Sequence, residues 1–249
     1  MTYSICARDP ETGHMGVAVQ SCFFAAGAIA SFVGRRAAVA SQAYPNPYWG
    51  IEGRARIDAG EDPADVISDL VARDAGHAHR QWHAIDAQGR IAQFTGDDCV
   101  DWAGSAKGPD VSAAGNILAG ERVVTDMVAA FLDTAGLPFP ERLLAALDAA
   151  EAAGGDTRGR QAAGLVVSGG EDWPRLDIRV DDHADPLGEL RRLYEVSGEM
   201  WGQVVPLLPT RDDFSRATAT DEAIEEMEAE MARREAAGNP SRSQMWKRD

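Results

Sequence analysis

Hydrophobic and polar positions along the chain predict groups of strands separated by groups of helices. Apolar runs of strand length, several alternating with polar residues, occupy 3–7, 16–22, 37–42, 81–86, 90–95, 111–115, 162–168 and 176–180. Helical spacing of apolar residues occupies 51–59, 63–73, 121–135, 140–153 and a run that starts at 186 and continues towards 201. This order lacks the strict strand–helix alternation of a doubly wound sheet. We therefore predict an α+β fold in which helices pack outside antiparallel sheets.

Turn and capping residues mark the ends of several predicted elements. Asp62 followed by Pro63 has the chemistry of a helix N-cap and first helical position. Gly136 stops the helix before it, because glycine readily adopts the left-handed conformation of a helix end. The segment 44–47 contains two prolines, which exclude a helix through it and a central strand.

The character of the chain changes at 206–210, where two prolines flank a pair of leucines. We predict one domain over 1–209 and an appendage over 210–249. The appendage contains a charged helix candidate at 220–236 and an end, 239–249, that is expected to be disordered. The helix has only a thin apolar stripe, which consists of Ile224, Met227 and Met231.

Net charge excludes one large class of partners. The 249 residues include 24 basic and 40 acidic side chains, which gives a formal net charge of −16, and Lys107 and Lys247 are the only lysines. Nucleic acids and anionic membranes are bound by basic surfaces that neutralise phosphate, and no cluster of Lys or Arg provides one. We expect neither as a partner.

Cysteine content and the beginning of the chain favour a cytoplasmic protein. Three cysteines, Cys6, Cys22 and Cys99, do not complete a set of disulfides, and no C-x-x-C spacing indicates zinc. The first residues carry neither the basic start nor the apolar stretch of a signal peptide, and no apolar run approaches the length of a membrane span.

Thr2 is the most informative candidate for chemistry. Methionine is generally trimmed before a small side chain, and removal of Met1 would leave Thr2 with a free α-amine whose ordinary pKa is about 7.7–8.0. A neutral amine beside the hydroxyl takes its proton, so one residue serves as nucleophile and base. If Met1 is retained, the Thr2 nitrogen is an amide and this chemistry is lost.

Motifs spread over roughly 1–200 resemble the DUF1028 family. They are Thr2-Tyr3-Ser4-Ile5, Asp9-Pro10-Glu11-Thr12-Gly13, Gly16-Val17-Ala18-Val19, Gln42-Ala43 with Asn46-Pro47, Trp102-Ala103-Gly104, Gly115-Asn116-Ile117-Leu118-Ala119-Gly120, Glu141-Arg142-Leu143-Leu144-Ala145-Ala146-Leu147, Gly154-Gly155-Asp156-Thr157-Arg158-Gly159-Arg160-Gln161, and Val180-Asp181-Asp182-His183 with Asp185-Pro186.

The resemblance implies more than the residue pattern does. The DUF1028 family is placed in the N-terminal nucleophile (Ntn) hydrolase superfamily, whose fold is a four-layer αββα sandwich. It implies hydrolysis of an amide bond, with Thr2 as the nucleophile, and it requires no cofactor. The expected partner is a small-molecule substrate, and a homo-oligomer is expected.

Polar residues near the predicted strand ends are candidates to assist Thr2. Asn116 offers an amide that could stabilise an oxyanion, although it could equally be a turn residue before the next helix. Ser41 and Gln42 close a strand that could run beside Thr2 and orient it, or they could simply hydrogen-bond at the strand end. Asn46 lies in the proline-rich loop and is a candidate for substrate binding.

Arginines are the candidates for positive charge at such a site, since both lysines fall outside the motifs. Arg158 and Arg160, with Asp156, form a dense polar cluster that could bind a substrate carboxylate in a bidentate manner or pair internally. Arg36, beside Arg35, is a further candidate. On so acidic a chain, a pocket lined by arginine would select an anionic substrate.

Two other functions remain open from the residues alone. A short run that includes Asp182 and His183 would suit a metal-dependent hydrolase, although Asp185 and Pro186 also make a good helix start. Alternatively, the chain is a non-catalytic oligomer or binding scaffold in which Thr2 only begins a strand.

Overall fold

The computed structural model describes residues 2–199, 201–216, 220–239 and 241–244, and of residue 222 only the backbone. It is an α+β fold with two antiparallel sheets. The strands are β1 (Thr2–Arg8), β2 (Met15–Ser21), β3 (Ser31–Val33), β4 (Ala37–Ala43), β5 (Arg80–Asp86), β6 (Ile91–Thr95), β7 (Trp102–Gly108), β8 (Val111–Leu118), β9 (Ala162–Ser168) and β10 (Pro174–Val180). The helices are α1 (Ala26–Ala30), α2 (Pro47–Asp58), α3 (Pro63–Arg73), α4 (Arg122–Asp133), α5 (Phe139–Ala152), α6 (Pro186–Ser197), α7 (Trp201–Val204) and α8 (Asp221–Ala236).

The larger sheet has six strands in the order β10-β9-β2-β1-β8-β7, and the smaller has four in the order β3-β4-β5-β6. The first strand, β1, therefore lies at the centre of the larger sheet, between β2 and β8. Nearly all of its residues are buried, because both faces of this sheet are covered. This explains why its sequence is almost continuously apolar or small instead of alternating.

Side chains on the two faces of β1 contact different layers. Tyr3 reaches α5, where its hydroxyl donates to Glu151, whereas Ser4 and Cys6 contact His83 of the smaller sheet. Helices α4 and α5 pack on the larger sheet, and α2 and α3 pack on the smaller one. The packing order is thus helices, sheet, sheet, helices.

An apolar core covers each face of the smaller sheet. The helix-facing side of the smaller sheet packs Trp82 and Val39 against α2 and α3, with Ile57 and Leu70 buried between them. Cys6, Met15, Val17, Ala38, Ala40 and Ile85 form the apolar core between the two sheets. The remainder of that interior, towards the start of β1, is polar.

The structure corrects several element boundaries. The 44–47 loop ends earlier than predicted, because Asn46 caps α2 through its side chain and Pro47 occupies the first helical turn. Among the described helices and strands, the sequence pattern misses four: α1, β3 and α7 are short, and β7 is mostly partly exposed with small residues and lysine. Such a strand at the edge of a sheet has no apolar signal to detect.

Two compact units divide the chain, residues 1–190 and 191–249. This division falls within α6, whereas the sequence predicts it after residue 209. In the second unit, the Glu199 carboxylate accepts hydrogen bonds from Ser241 and from the Arg242 backbone, within the segment predicted to be disordered. Residues 240 and 245–249, and Met1 at the other end, lie outside the described residues.

Gly164 is required where α1 approaches β9. A Cβ at this position would lie 2.9 Å from the Gly27 Cα, which is backbone and has no rotamer to change. We expect Gly164→Ala to lower the free energy of unfolding by about 1–3 kcal/mol. Gly120→Ala is the matched control, because a methyl group added there would meet no atom within 4 Å and its φ is not positive. Urea unfolding of both variants measures the difference, and equal midpoints would contradict the prediction.

Candidate functional site

Thr2 opens β1 and its hydroxyl is held between neighbouring strands. Its Oγ1 lies 3.2 Å from the Ser21 Oγ at the end of β2, and its backbone pairs with Asn116 of β8. Only 7% of Thr2 is exposed. Because β1 is central, the position of this residue is fixed by hydrogen bonds on both sides instead of fraying as a terminus does.

Asn116 is the polar residue nearest to Thr2 on β8. Its Nδ2 lies 3.5 Å from the Thr2 carbonyl oxygen and donates a 2.9 Å hydrogen bond to Gln81 Oε1. The following residue, Ile117, has a φ of +55°, which is uncommon for a β-branched side chain. The strand therefore turns sharply at the point where it passes Thr2.

Gln42 and Gln81 continue the polar contacts across the gap between the sheets. The Gln42 Nε2 donates to Gln81 Oε1 at 2.9 Å, and its Oε1 accepts from the Ser4 hydroxyl at 2.6 Å. Gln81 Nε2 donates to the backbone carbonyls of Gly115 and Gly104. Both side chains are fully buried, and each amide donates through its nitrogen and accepts through its oxygen.

His83 occupies the middle of this interior and is fully buried. Its Nε2 lies 2.8 Å from Ser4 Oγ, and its Nδ1 lies 2.9 Å from Ser112 Oγ. Since the Ser4 proton goes to Gln42, the assignment that satisfies every group puts the imidazole proton on Nε2. Burial lowers the pKa of His83 to about 3, so the ring is neutral at physiological pH.

These side chains form one continuous row of hydrogen bonds, which we call the inter-sheet chain. Each member donates to the next, and the row ends beside Thr2 and Asn116. At its other end Gln93 Nε2 donates to Ser112 Oγ at 2.9 Å, and Ser105 donates to Gln93. The members in donor order are Ser105, Gln93, Ser112, His83, Ser4, Gln42 and Gln81.

The cluster at 154–161 lies at the same end of the larger sheet. The Asp156 carboxylate accepts a 3.0 Å hydrogen bond from the Cys22 backbone, just after β2, and a 2.8 Å bond from the Arg158 backbone. Asp156 also forms a bridge with Leu118, two residues beyond Asn116 on β8. The segment is thus joined to both strands that flank Thr2.

The two arginines of this cluster differ in what they contact. The Arg158 guanidinium lies 3.5 Å from Asp156 and is partly exposed. Arg160 is committed to other carboxylates, at 3.2 Å from Glu151 and 3.7 Å from Asp185. The internal pairing considered for both residues is therefore present, and Arg158 has the looser contact.

Other candidates from the sequence lie apart from Thr2 or are occupied. Ser41 is on the helix side of β4, where its hydroxyl donates to the Asn46 carbonyl. Asn46 itself caps α2 and donates to Asp74. Arg36 precedes β4, at the strand end opposite Gln42, and its backbone donates to Asp58. In an antiparallel sheet a full strand length separates Arg36 from the Thr2 end.

Asp182 and His183 lie in a loop after β10. The Asp182 carboxylate accepts from Gln161, and His183 Nδ1 accepts from the Asp185 backbone. Within the described ranges, no group of three or more His, Cys, Asp and Glu side chains is placed to hold a metal ion.

Glu151 is a residue that sequence reasoning missed. Its carboxylate accepts from the Tyr3 hydroxyl at 2.9 Å and from Gln20 Nε2 at 2.6 Å, besides its contact with Arg160. Burial, and secondarily the nearby Glu151 charge, raise the pKa of Tyr3 well above its ordinary value. Glu151 therefore anchors the first two strands to the end of α5, directly behind Thr2.

Similarity to known proteins establishes the family of the chain. A family model, DUF1028, described as a family of unknown function, matches residues 2–190. The chain belongs to the DUF1028 family. The match spans every residue of the inter-sheet chain and of the 154–161 cluster. No curated protein matches the sequence.

A solved member of the DUF1028 family supports the fold. The crystal structure of protein SPO2555 from Silicibacter pomeroyi is 33% identical, covers 88% of this chain and 96% of its own, and superposes with a TM-score of 0.82. As to membranes, none of the helices in the described ranges has the length and apolar composition of a membrane span.

Proposed function

We propose that the protein is an Ntn-type amidohydrolase in which Thr2 is the N-terminal nucleophile. One observation carries the proposal: Thr2 begins the central strand of the larger sheet, with its hydroxyl beside Ser21 and Asn116 as its cross-strand partner. The helix–sheet–sheet–helix packing order is consistent with the αββα sandwich of that superfamily.

The proposed reaction needs only groups of this chain. The Thr2 α-amine, freed by loss of Met1, accepts the hydroxyl proton as Oγ1 attacks the substrate carbonyl carbon. The amine of the leaving group takes that proton as the C–N bond breaks, and an acyl ester on Thr2 remains. Water then attacks the ester and gives one proton to the α-amine, which passes it to Oγ1 as the acyl C–O bond breaks, so that the carboxylic acid and the free Thr2 hydroxyl are released.

Asn116 is placed to stabilise the tetrahedral intermediate. Its contact with the Thr2 carbonyl is long, at 3.5 Å, so this N–H is weakly committed and is available to an oxyanion that forms beside Thr2. Its other N–H is held by Gln81 at 2.9 Å, which fixes the amide plane. Gln42 acts on Asn116 only through Gln81, as a positioning residue.

The substrate class follows from the cluster at 154–161. Arg158 and Arg160 are both partly exposed on the segment that flanks the Thr2 end, but the only described carboxylate partner of Arg158 lies at 3.5 Å. A small amide that carries a carboxylate would pair with Arg158. Arg160 is held by Glu151 and Asp185, so we assign it to the scaffold of the site.

The mature N-terminus tests this proposal. Intact mass measurement and N-terminal sequencing should show that Met1 is absent and that Thr2 carries a free amine. Small amides, with and without a carboxylate, are then incubated with the protein and the released amine is measured. Acid quenching during turnover should trap an acyl group on the N-terminal peptide. Stoichiometric retention of Met1 in protein that turns over amide would overturn the mechanism.

Each of the two alternative functions is tested by its own measurement. A metal-dependent hydrolase that uses Asp182 and His183 would lose turnover on dialysis against a chelator and would contain metal by elemental analysis. A non-catalytic scaffold would release no amine from any member of the amide panel, although its N-terminus could still be processed.

A further inference from the structure

Five large apolar side chains stand exposed near the Thr2 end of the fold. They are between 50% and 75% exposed. We call this set the aromatic face. It consists of Phe23, Phe24, Tyr44, Tyr48 and Ile51.

The two segments of the aromatic face come from neighbouring elements. Phe23 and Phe24 directly follow β2, which ends at Ser21, and α1 comes next and packs against both β4 and α2. Tyr44 directly follows β4, and Tyr48 and Ile51 lie in the first turns of α2. The strand ends that carry these segments are those of Ser21 and Gln42, at the same end of the two sheets as Thr2.

The aromatic face also lies in the least charged part of the chain. Between residues 15 and 51 the only charged side chains are Arg35 and Arg36, although the whole chain has a net charge of −16. Both arginines precede β4, whereas the face lies at the opposite end of that strand. Arg80 borders the face, with its guanidinium 5.7 Å from the centre of the Tyr44 ring, and Glu52 beside Ile51 is paired with Arg56 and Arg73. Two copies of so acidic a protein therefore repel each other less here than over the rest of their surface.

We propose that the aromatic face is where a second copy of this chain binds. Side chains of this kind bury about 150–250 Å² each, so five that are at least half exposed offer roughly 500–700 Å² of apolar surface. A contiguous patch of that size marks an interaction site. It approaches the roughly 800 Å² per partner of a standard interface.

A two-fold axis through the aromatic face gives a closed dimer. In such an interface the same patch is used by both copies, so Tyr and Phe of one copy pack on those of the other. Tyrosine and phenylalanine are favoured in interface cores, where charged side chains are depleted. The pairing would bring the Thr2 ends of the two copies towards a common interface. The inference does not depend on Thr2 being catalytic.

Solution mass of the full chain tests the dimer. Sedimentation equilibrium should give about twice the 26.6 kDa of the chain. The double variant Phe24→Glu with Tyr48→Glu places two carboxylates in the face, and its dimer dissociation constant should rise by about 100-fold or more. Leu137→Glu is the matched control, since Leu137 is also an exposed apolar side chain but lies between α4 and α5.

Each other outcome overturns the inference. A wild-type protein that stays monomeric at high micromolar concentration would exclude the dimer. If Phe214→Glu, in the second unit, dissociates the dimer and the double variant does not, the interface belongs to residues 191–249. A monomer that sediments with zwitterionic phosphatidylcholine vesicles, and loses this in the double variant, would assign the face to a lipid surface. Circular dichroism of each variant establishes that it is folded.

Discussion

Replacement of Thr2 by alanine should abolish amide hydrolysis and leave the protein folded. The variant keeps the β1 backbone and a free α-amine but lacks the oxygen that attacks the carbonyl. We expect kcat/KM to fall by at least about 10³-fold, as is typical when a nucleophile is removed. Loss of the hydrogen bond between Thr2 Oγ1 and Ser21 should lower the free energy of unfolding by only about 0.5–1.5 kcal/mol.

Thr2→Ser is the matched control for this variant. Serine retains the hydroxyl and the α-amine and loses only the methyl group, so turnover and the trapped acyl adduct should persist. Turnover should be measured with whichever amide the panel identifies, and unfolding with urea. Alanine at position 2 with undiminished turnover would refute the role of Thr2, whereas loss of folding in both variants would show that Thr2 is structural.

Acidification should destabilise the protein through His83. The unfolded chain takes up a proton near the ordinary histidine pKa of about 6.5, whereas burial lowers the folded-state pKa to about 3. Below pH 6.5 the unfolded state therefore binds more protons than the folded state. The stability that His83 contributes is fully present above pH 6.5 and is lost as the pH falls towards 3.

The expected size of this effect is large for one side chain. Each pKa unit corresponds to about 1.36 kcal/mol, so the wild type should lose roughly 2–3 kcal/mol between pH 6.5 and 4.5 through His83 alone. Urea unfolding at a series of pH values measures it. Other titrating groups add to the total, and His14 acts in the same direction, because burial also lowers its pKa.

Comparison with His83→Gln isolates the contribution of His83. Glutamine can donate to Ser4 and accept from Ser112, but it does not titrate. The difference in the free energy of unfolding by which the wild type exceeds His83→Gln at pH 7 should therefore shrink steadily as the pH falls. His14→Gln serves as the control for a half-buried histidine and should flatten the profile less. Parallel stability profiles for the wild type and His83→Gln would contradict a neutral, buried His83.

The sequence predicts the helices and buried strands well because apolar spacing records them directly. It predicts the candidate site less well, because β5 alternates between two buried faces. Trp82 and Ala84 face the helices, and Gln81 and His83 face the other sheet. Polar residues on alternate positions usually indicate a solvated face, so nothing in the pattern of β5 shows that its polar side is an interior.

Register explains the other differences at the site. Gln42 and Ser41 are neighbours in sequence, yet the pleat sends the first into the inter-sheet chain and the second to the helix side. The positive charge of Arg36 suits a residue that lines a binding pocket, but the length of β4 separates it from Thr2. Thr2 and Asn116 are 114 residues apart in the chain, and they pair because of the register between β1 and β8. No local sequence pattern contains that register.

The direction of the inter-sheet chain has an electrostatic consequence. Ser112 lies opposite Cys6 on the larger sheet, and Asn116 lies opposite Thr2, so the row from Ser112 to Gln81 runs towards the start of β1. Each member donates towards the next, so the components of their bond dipoles along β1 have the same sign, whereas the components across the gap between the sheets alternate. The positive end of this row is Gln81 Nε2, which donates to the Gly115 and Gly104 carbonyls near the start of β1. In this strongly acidic protein, neutral side chains alone thus orient a row of polar bonds in the interior, with its donor end near the start of β1.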